Sequence, residues 1–166
     1  MNMTGARDLA RLYEQHAPAA LRLAYVLTGD HDLAEDLVQD AFVRIIGRLG
    51  QLRSEVAFDA YLRRTVVNLS YGTFRRRRVE RAWLARERGK VRRDGDEPDG
   101  VEERDELWHR LASVAPRQRA ALVLRYYEDL SEEQAAQVLG CSTRALRSLT
   151  SRGLQALRTQ ESVVAR

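Results

Sequence analysis

The chain has 166 residues, 44% hydrophobic and 31% charged, with a net charge of +4 and a pI of about 9.6. That balance suits one medium or two small globular domains and excludes a disordered chain. No apolar run approaches the ~18–20 residues needed to cross a bilayer. The start leads directly into charged helical sequence, so no signal peptide is expected and the chain is expected in the cytoplasm.

Nothing reads as strand, because no sustained two-residue alternation and no hairpin turn appears. Helical periodicity is plain throughout, and the fold class is expected to be all-α. The first helix carries Leu9, Leu12, Tyr13, His16 and Ala17, then Ala20, Leu21, Ala24 and Leu27. Pro18 either restarts or kinks it, and Thr28-Gly29-Asp30 ends it. The second helix opens with Asp32 and Glu35 in capping-box spacing. Its apolar stripe is Leu33, Leu37, Val38, Ala41, Phe42, Ile45, Ile46 and Leu49; its opposite face carries Glu35, Asp36, Gln39, Asp40 and Arg44. Residues 51–57 form a short loop. A third helix is expected from about Ala57 to Arg81, with Phe58, Tyr61, Leu62, Thr65, Val66 and Leu69 inward.

From about Leu84 to Glu103 the periodicity fails, and Gly89, Gly95, Pro98 and Gly100 sit among charges. That composition reads as a flexible linker. Order returns with Leu107, Leu111 and Val114, and Pro116 opens another helix. Ser131-Glu132-Glu133-Gln134 is a capping box that starts a short helix. Gly140 is placed as a helix-ending residue at positive φ. Ser142 then caps a last helix, expected over Thr143 to Thr159, with Leu146, Leu149, Gly153, Leu154 and Leu157 on its apolar face. The chain is thus expected as two small helical domains, 7–83 and 104–160, joined by a linker over 84–103.

The last two helices have the lengths and the glycine-containing turn of a helix–turn–helix. In that motif the second helix enters the major groove. Its outward face offers Arg144, Arg147, Ser148, Ser151, Arg152 and Gln155, which can reach phosphates and base edges. An ordinary helical hairpin with a solvated basic face would look the same.

Charge is also sorted along the chain. Residues 61–93 hold twelve basic side chains against Glu80 and Glu87, and residues 94–106 are rich in carboxylates. The third helix sets Tyr61, Asn68, Tyr71 and Phe74 near Arg75-Arg76-Arg77-Arg78. Aromatics among cations suit unstacked bases, although a core role for Tyr61 fits equally well. The acidic face of the second helix serves either solubility or a basic partner helix.

No catalytic residue is assigned, since no Gly-rich phosphate loop, metal-ligand set or nucleophile with a nearby base is present. Cys141 is the single cysteine, so no internal disulfide forms; it reads as a packing residue. His16, His31 and His109 stand in no zinc-like spacing. No metal, cofactor or small-molecule substrate is expected.

Taken in order, these stretches resemble the extracytoplasmic-function sigma factors of RNA polymerase, and within them the SigE-like actinobacterial subgroup. Ala34-Glu35-Asp36-Leu37-Val38-Gln39-Asp40-Ala41-Phe42 is similar to region 2.2 of that family. Phe58 to Arg64, through Asn68 to Arg78, resembles regions 2.3 and 2.4. Pro116 to Arg119, Leu124 to Ser131, Ala135-Ala136 and Leu139 to Ser142 resemble region 4.

The resemblance implies a non-enzymatic factor that brings core RNA polymerase to promoters and assists melting. Asp36, Gln39, Asp40 and Arg44 would dock on the β′ clamp helices, and region 4 on the β flap. Arg53 and Ser54, with Asn68 and Arg75, Arg76, Arg77 and Arg78, would hold the −10 strand. Arg144, Arg147, Ser148, Ser151 and Arg152 would read the −35 element. An anti-sigma factor is a further partner that the family admits. Tyr61 stands where most members have Trp. Thr143-Arg144-Ala145-Leu146 replaces a usual Val-Gly-Thr-Val, and Leu149 replaces a common Arg, so an unusual −35 preference or fewer contacts are expected. Two other readings share these features: a helix–turn–helix regulator acting without polymerase, and an interaction-only sigma-like protein.

Overall fold

The computed structural model describes residues 3–88 and 102–164, all in helices and tight turns, with no strand among them. Seven α-helices follow in order: α1 Met3–Thr28, α2 His31–Ile46, α3 Glu55–Arg88, α4 Glu102–Ala112, α5 Pro116–Leu122, α6 Glu132–Leu139 and α7 Thr143–Val164.

Helices α1, α2 and the first part of α3 form one bundle. Pro18 stands inside α1 without ending it. The helix stops where Gly29 turns to φ 70°. The cap of α2 is Asp30 rather than the expected Asp32: its carboxylate accepts from Leu33 N at 2.9 Å. Ala34, Leu37, Val38, Ala41, Phe42 and Ile45 are buried, as the stripe requires. Phe42 packs between Tyr13 and Phe58, with ring centroids 4.7 and 6.0 Å apart. Ser54 caps α3, accepting from Ala57 N at 3.1 Å.

Helix α3 outruns its expected end. It continues through residues 82–88, because Gly89 is the first residue there that opposes helix, and Ala82 to Arg88 are all compatible with it. The remainder of the expected linker, residues 89–101, lies outside the described residues. Helix α4 likewise begins ahead of Leu107, at Glu102.

The second bundle is α4 to α7. Pro116 occupies the first turn of α5, where its missing N–H costs nothing. After Leu122 the backbone widens into a π-helical turn, Val123–Tyr127, with Glu128 N donating to Val123 O at 2.9 Å. Gly153 lets α7 approach α5 closely, since a Cβ there would lie 2.8 Å from the Leu122 side chain.

The two bundles touch. Trp108 of α4 lies on Gly29, so close that a Cβ at that glycine would fall 2.0 Å from the indole. Arg63 of α3 pairs with Glu128, Nε to Oε2 3.2 Å. Arg119 of α5 reaches across to the end of α1. One apolar core therefore runs through both halves.

Candidate nucleic-acid interface

The geometry of α6 and α7 is that of a helix–turn–helix. Ser131 accepts from Gln134 N at 3.1 Å while the Gln134 side chain accepts from Ser131 N at 2.9 Å, a complete capping box. Gly140 ends α6 at φ 61°, ψ 40°, the left-handed conformation that glycine adopts without a Cβ penalty. Ser142 then caps α7, accepting from Ala145 N at 3.1 Å. Leu146 is fully buried and Leu149 half-buried beneath α7.

The opposite face of α7 is open. Arg144, Arg147, Ser148, Ser151 and Arg152 are all exposed. They occur at i, i+3, i+4, i+7 and i+8, so they form one stripe along the helix. Arg147 is held from below: its Nε donates to Glu132 Oε2 at 2.6 Å. That pair engages the Nε edge of the guanidinium while the side chain as a whole stays exposed. The replacements noted at the start of α7 divide by burial, because Leu146 fills the core whereas Arg144 adds a cation to the outer face.

On α2, Asp36, Gln39, Asp40 and Arg44 are exposed on the face opposite the buried stripe. Val43 and Ile46 lie among them, and Val43 is 68% exposed. The face is thus acidic with an apolar margin, a composition suited to a partner helix with cations beside apolar side chains.

The residues expected on the −10 strand do not form one cluster. Arg53 and Ser54 stand at the start of α3, exposed beside α1. Arg75 to Arg78 lie about 30 Å further along the same helix at 1.5 Å per residue, and Asn68, also exposed, falls between them. Arg77 differs from its neighbours. It is half-buried and its Nη2 lies 3.5 Å from Asp30 Oδ2, which ties α3 to the corner between α1 and α2.

The aromatics near these arginines are largely structural. Tyr61 is half-buried under the Arg48 guanidinium, 5.7 Å from its ring centroid. Phe74 lies under the guanidinium of Arg119 at 5.2 Å, in the contact between the halves. Burial pushes the Tyr71 phenol well above its ordinary pKa. The open aromatic is Trp83, 58% exposed. Sequence reading passed over it because the third helix was expected to end before it.

Arg119 is the other residue that periodicity did not reveal. It is 4% exposed, and its guanidinium is spent on backbone carbonyls. Its Nε donates to Leu111 O at 2.9 Å, its Nη2 to Ala112 O and Val114 O at 3.1 Å, and its Nη1 to Leu27 O at 3.0 Å. Burial lowers its pKa to about 10, so it stays cationic at neutral pH with all these donors in use. The Trp108 ring also lies against this guanidinium, at 4.7 Å.

Among the described residues no group of three or more His, Cys, Asp or Glu is placed to hold a metal ion. No described helix is long and apolar enough to cross a membrane.

Residues 12–80 match the family model of sigma-70 region 2, and residues 104–157 that of sigma-70 region 4. An RNA polymerase sigma-E factor of Streptomyces coelicolor is 35% identical over 89% of this chain and 81% of its own length. The sigma-E factor of Streptomyces avermitilis is 34% identical, over 86% of this chain and 78% of its own. Among solved structures, the sigma factor RpoE in complex with the anti-sigma factor NepR, from Bartonella quintana, has a similar fold. Its TM-score is 0.70 at 23% identity, covering 95% of this chain and 98% of that one.

Proposed function

The chain belongs to the extracytoplasmic-function group of sigma-70 RNA polymerase sigma factors, which direct promoter-specific initiation of transcription, and on that premise we propose how its surfaces divide the work. Residues 7–83 form the region 2 domain, 84–103 the linker and 104–160 the region 4 domain. The outer face of α2, with Asp36, Gln39, Asp40 and Arg44, docks on the clamp helices of the polymerase β′ subunit. Region 4 sits on the β flap. Arg53, Ser54, Asn68 and the arginines from Arg75 to Arg78 hold the melted −10 strand, and Arg144, Arg147, Ser148, Ser151 and Arg152 read the −35 element. The chain works in the cytoplasm and carries out no chemical step of its own; polymerase does.

One observation carries this division. The acidic face of α2 and the polar face of α7 both stay open to solvent while the opposite face of each helix is buried. A regulator acting without polymerase would need only the second. Region 2 makes no sense as a mere passenger, because its exposed α2 face is chemically ordered and its α3 carries cations in line. The anti-sigma factor of the Bartonella complex supports a regulator of the same kind for this chain, occupying one or both faces.

Run-off transcription with purified core polymerase over a promoter library tests the reading. Initiation at a defined subset of promoters is expected only when the chain is added. Core enzyme that gains no start site from it, and never binds it, would refute the assignment.

A further inference from the structure

We propose that the end of α3 carries an additional binding ledge for an unpaired strand, formed by Trp83 with Val79, Arg75 and Arg76, on which one base stacks. This rests on the reading that Arg75 to Arg78 hold melted promoter DNA, and extends that track by about one and a half helical turns, from Arg78 to Trp83.

The observations begin with exposure. Trp83 is 58% and Val79 64% exposed, although both are apolar. Arg75, Arg76, Val79, Glu80 and Trp83 line one shallow groove on the helix surface. Val79 and Arg76 precede Trp83 by four and seven residues, so the three share a face. The indole thus offers an open aromatic face beside cations, the combination on which an unstacked base can lie.

Charge selects the occupant. Residues 75–88 contain seven arginines and two glutamates, so this part of α3 is strongly cationic and attracts a polyanion. A duplex presents phosphates and sugars to a helix surface but keeps its base faces stacked. An unpaired strand presents both phosphates for the arginines and a π-face for the indole, and indole–base stacking does not depend on which base is present. Glu80 stands on the same groove and repels phosphate locally. It therefore places the backbone on the Arg75–Arg76 side and the base over Trp83.

The full chain is tested with a short oligothymidine carrying one 5-iodouracil, with the same sequence as a duplex, and with core polymerase. Irradiation should join the single strand to the peptide containing Trp83, and the duplex much less. Trp83→Ala should bind the single strand about fivefold or more weakly, in the range of a lost stacking contact, while Trp83→Phe should stay near wild type. Single-strand binding by Trp83→Ala equal to wild type would overturn the ledge, as would equal weakening on the duplex. Loss of core polymerase by Trp83→Ala with DNA binding intact would show a protein contact instead, and would also overturn it. The Arg75→Ala, Arg78→Ala pair separates the two readings. If that pair weakens binding and Trp83→Ala does not, the arginine track stands and only the ledge fails; if the pair changes nothing, the track itself fails.

Discussion

The Arg119 guanidinium donates from Nη1 to the Leu27 carbonyl at 3.0 Å, joining α5 to the last turn of α1. Leu27 O belongs to a helix end, where carbonyls lack intrahelical partners. The same guanidinium also satisfies Leu111, Ala112 and Val114, which close the turn between α4 and α5. One side chain thus finishes a turn within region 4 and fastens region 4 to region 2.

Arg119→Ala should therefore destabilise the chain by roughly 3 kcal/mol or more, because it strands buried carbonyls that had charged donors. Arg119→Lys should recover only part of this, since an ammonium cannot spread its donors over the same fork. Urea unfolding followed by far-UV circular dichroism measures both. In wild type the halves should unfold together, because Arg119, the Arg63–Glu128 pair and Trp108 on Gly29 all span them. Two separate transitions in the wild-type protein would show that these contacts do not couple the halves.

Gly29→Ala should be costly for two independent reasons. The residue sits at φ +70°, which disfavours a Cβ by about 1 kcal/mol. The new methyl would also overlap the Trp108 indole. A double-mutant cycle with Trp108→Ala separates them: the second change should remove the overlap, so the pair should cost less than the sum of the singles. Strict additivity would mean that the indole does not rest on this turn.

Glu128 supplies a pH dependence. Burial raises its pKa, more than the nearby Arg63 guanidinium lowers it. The folded chain then holds this proton more tightly than the unfolded chain does. Its contribution to stability is full below the ordinary glutamate value of 4.5, and is lost as pH rises through the raised one. Glu128→Gln removes that dependence. The urea midpoint of wild type, measured against Glu128→Gln, should fall as pH rises across this window. A difference that stays flat, or that grows in favour of wild type, would contradict the sign.

Asp40→Arg should abolish capture by core polymerase while leaving melting within about 0.5 kcal/mol of wild type, as befits an exposed helix position. The pull-down and the melt are read on the same preparation. Equal capture of the variant would remove α2 as the docking face.

Arg147→Ala should weaken −35-dependent transcription by a factor equivalent to about 1–3 kcal/mol per lost base contact. Glu132→Gln should alter promoter selectivity more than total affinity, since it loosens the 2.6 Å pair that orients Arg147. Selectivity unchanged by both substitutions would place base reading elsewhere on α7.

The helices, most of their caps and the exposed outer faces of α2 and α7 were legible in the sequence because each depends on neighbours within a few residues. The Ser131–Gln134 capping box, Gly140 in the left-handed region and the buried stripe of α2 are all local consequences of residue order. Even the errors were local: Asp30 caps where Asp32 seemed to, and α3 runs on because nothing before Gly89 opposes it. Tertiary structure alone decided what crosses between the halves. Nothing near Arg119 in the sequence shows that its acceptors include Leu27 O, because a long-range hydrogen bond depends on where another helix ends in space. The same holds for exposure. Phe74 and Trp83 are both aromatic residues on one cationic helix, yet Arg119 of α5 covers the first while the second stays open.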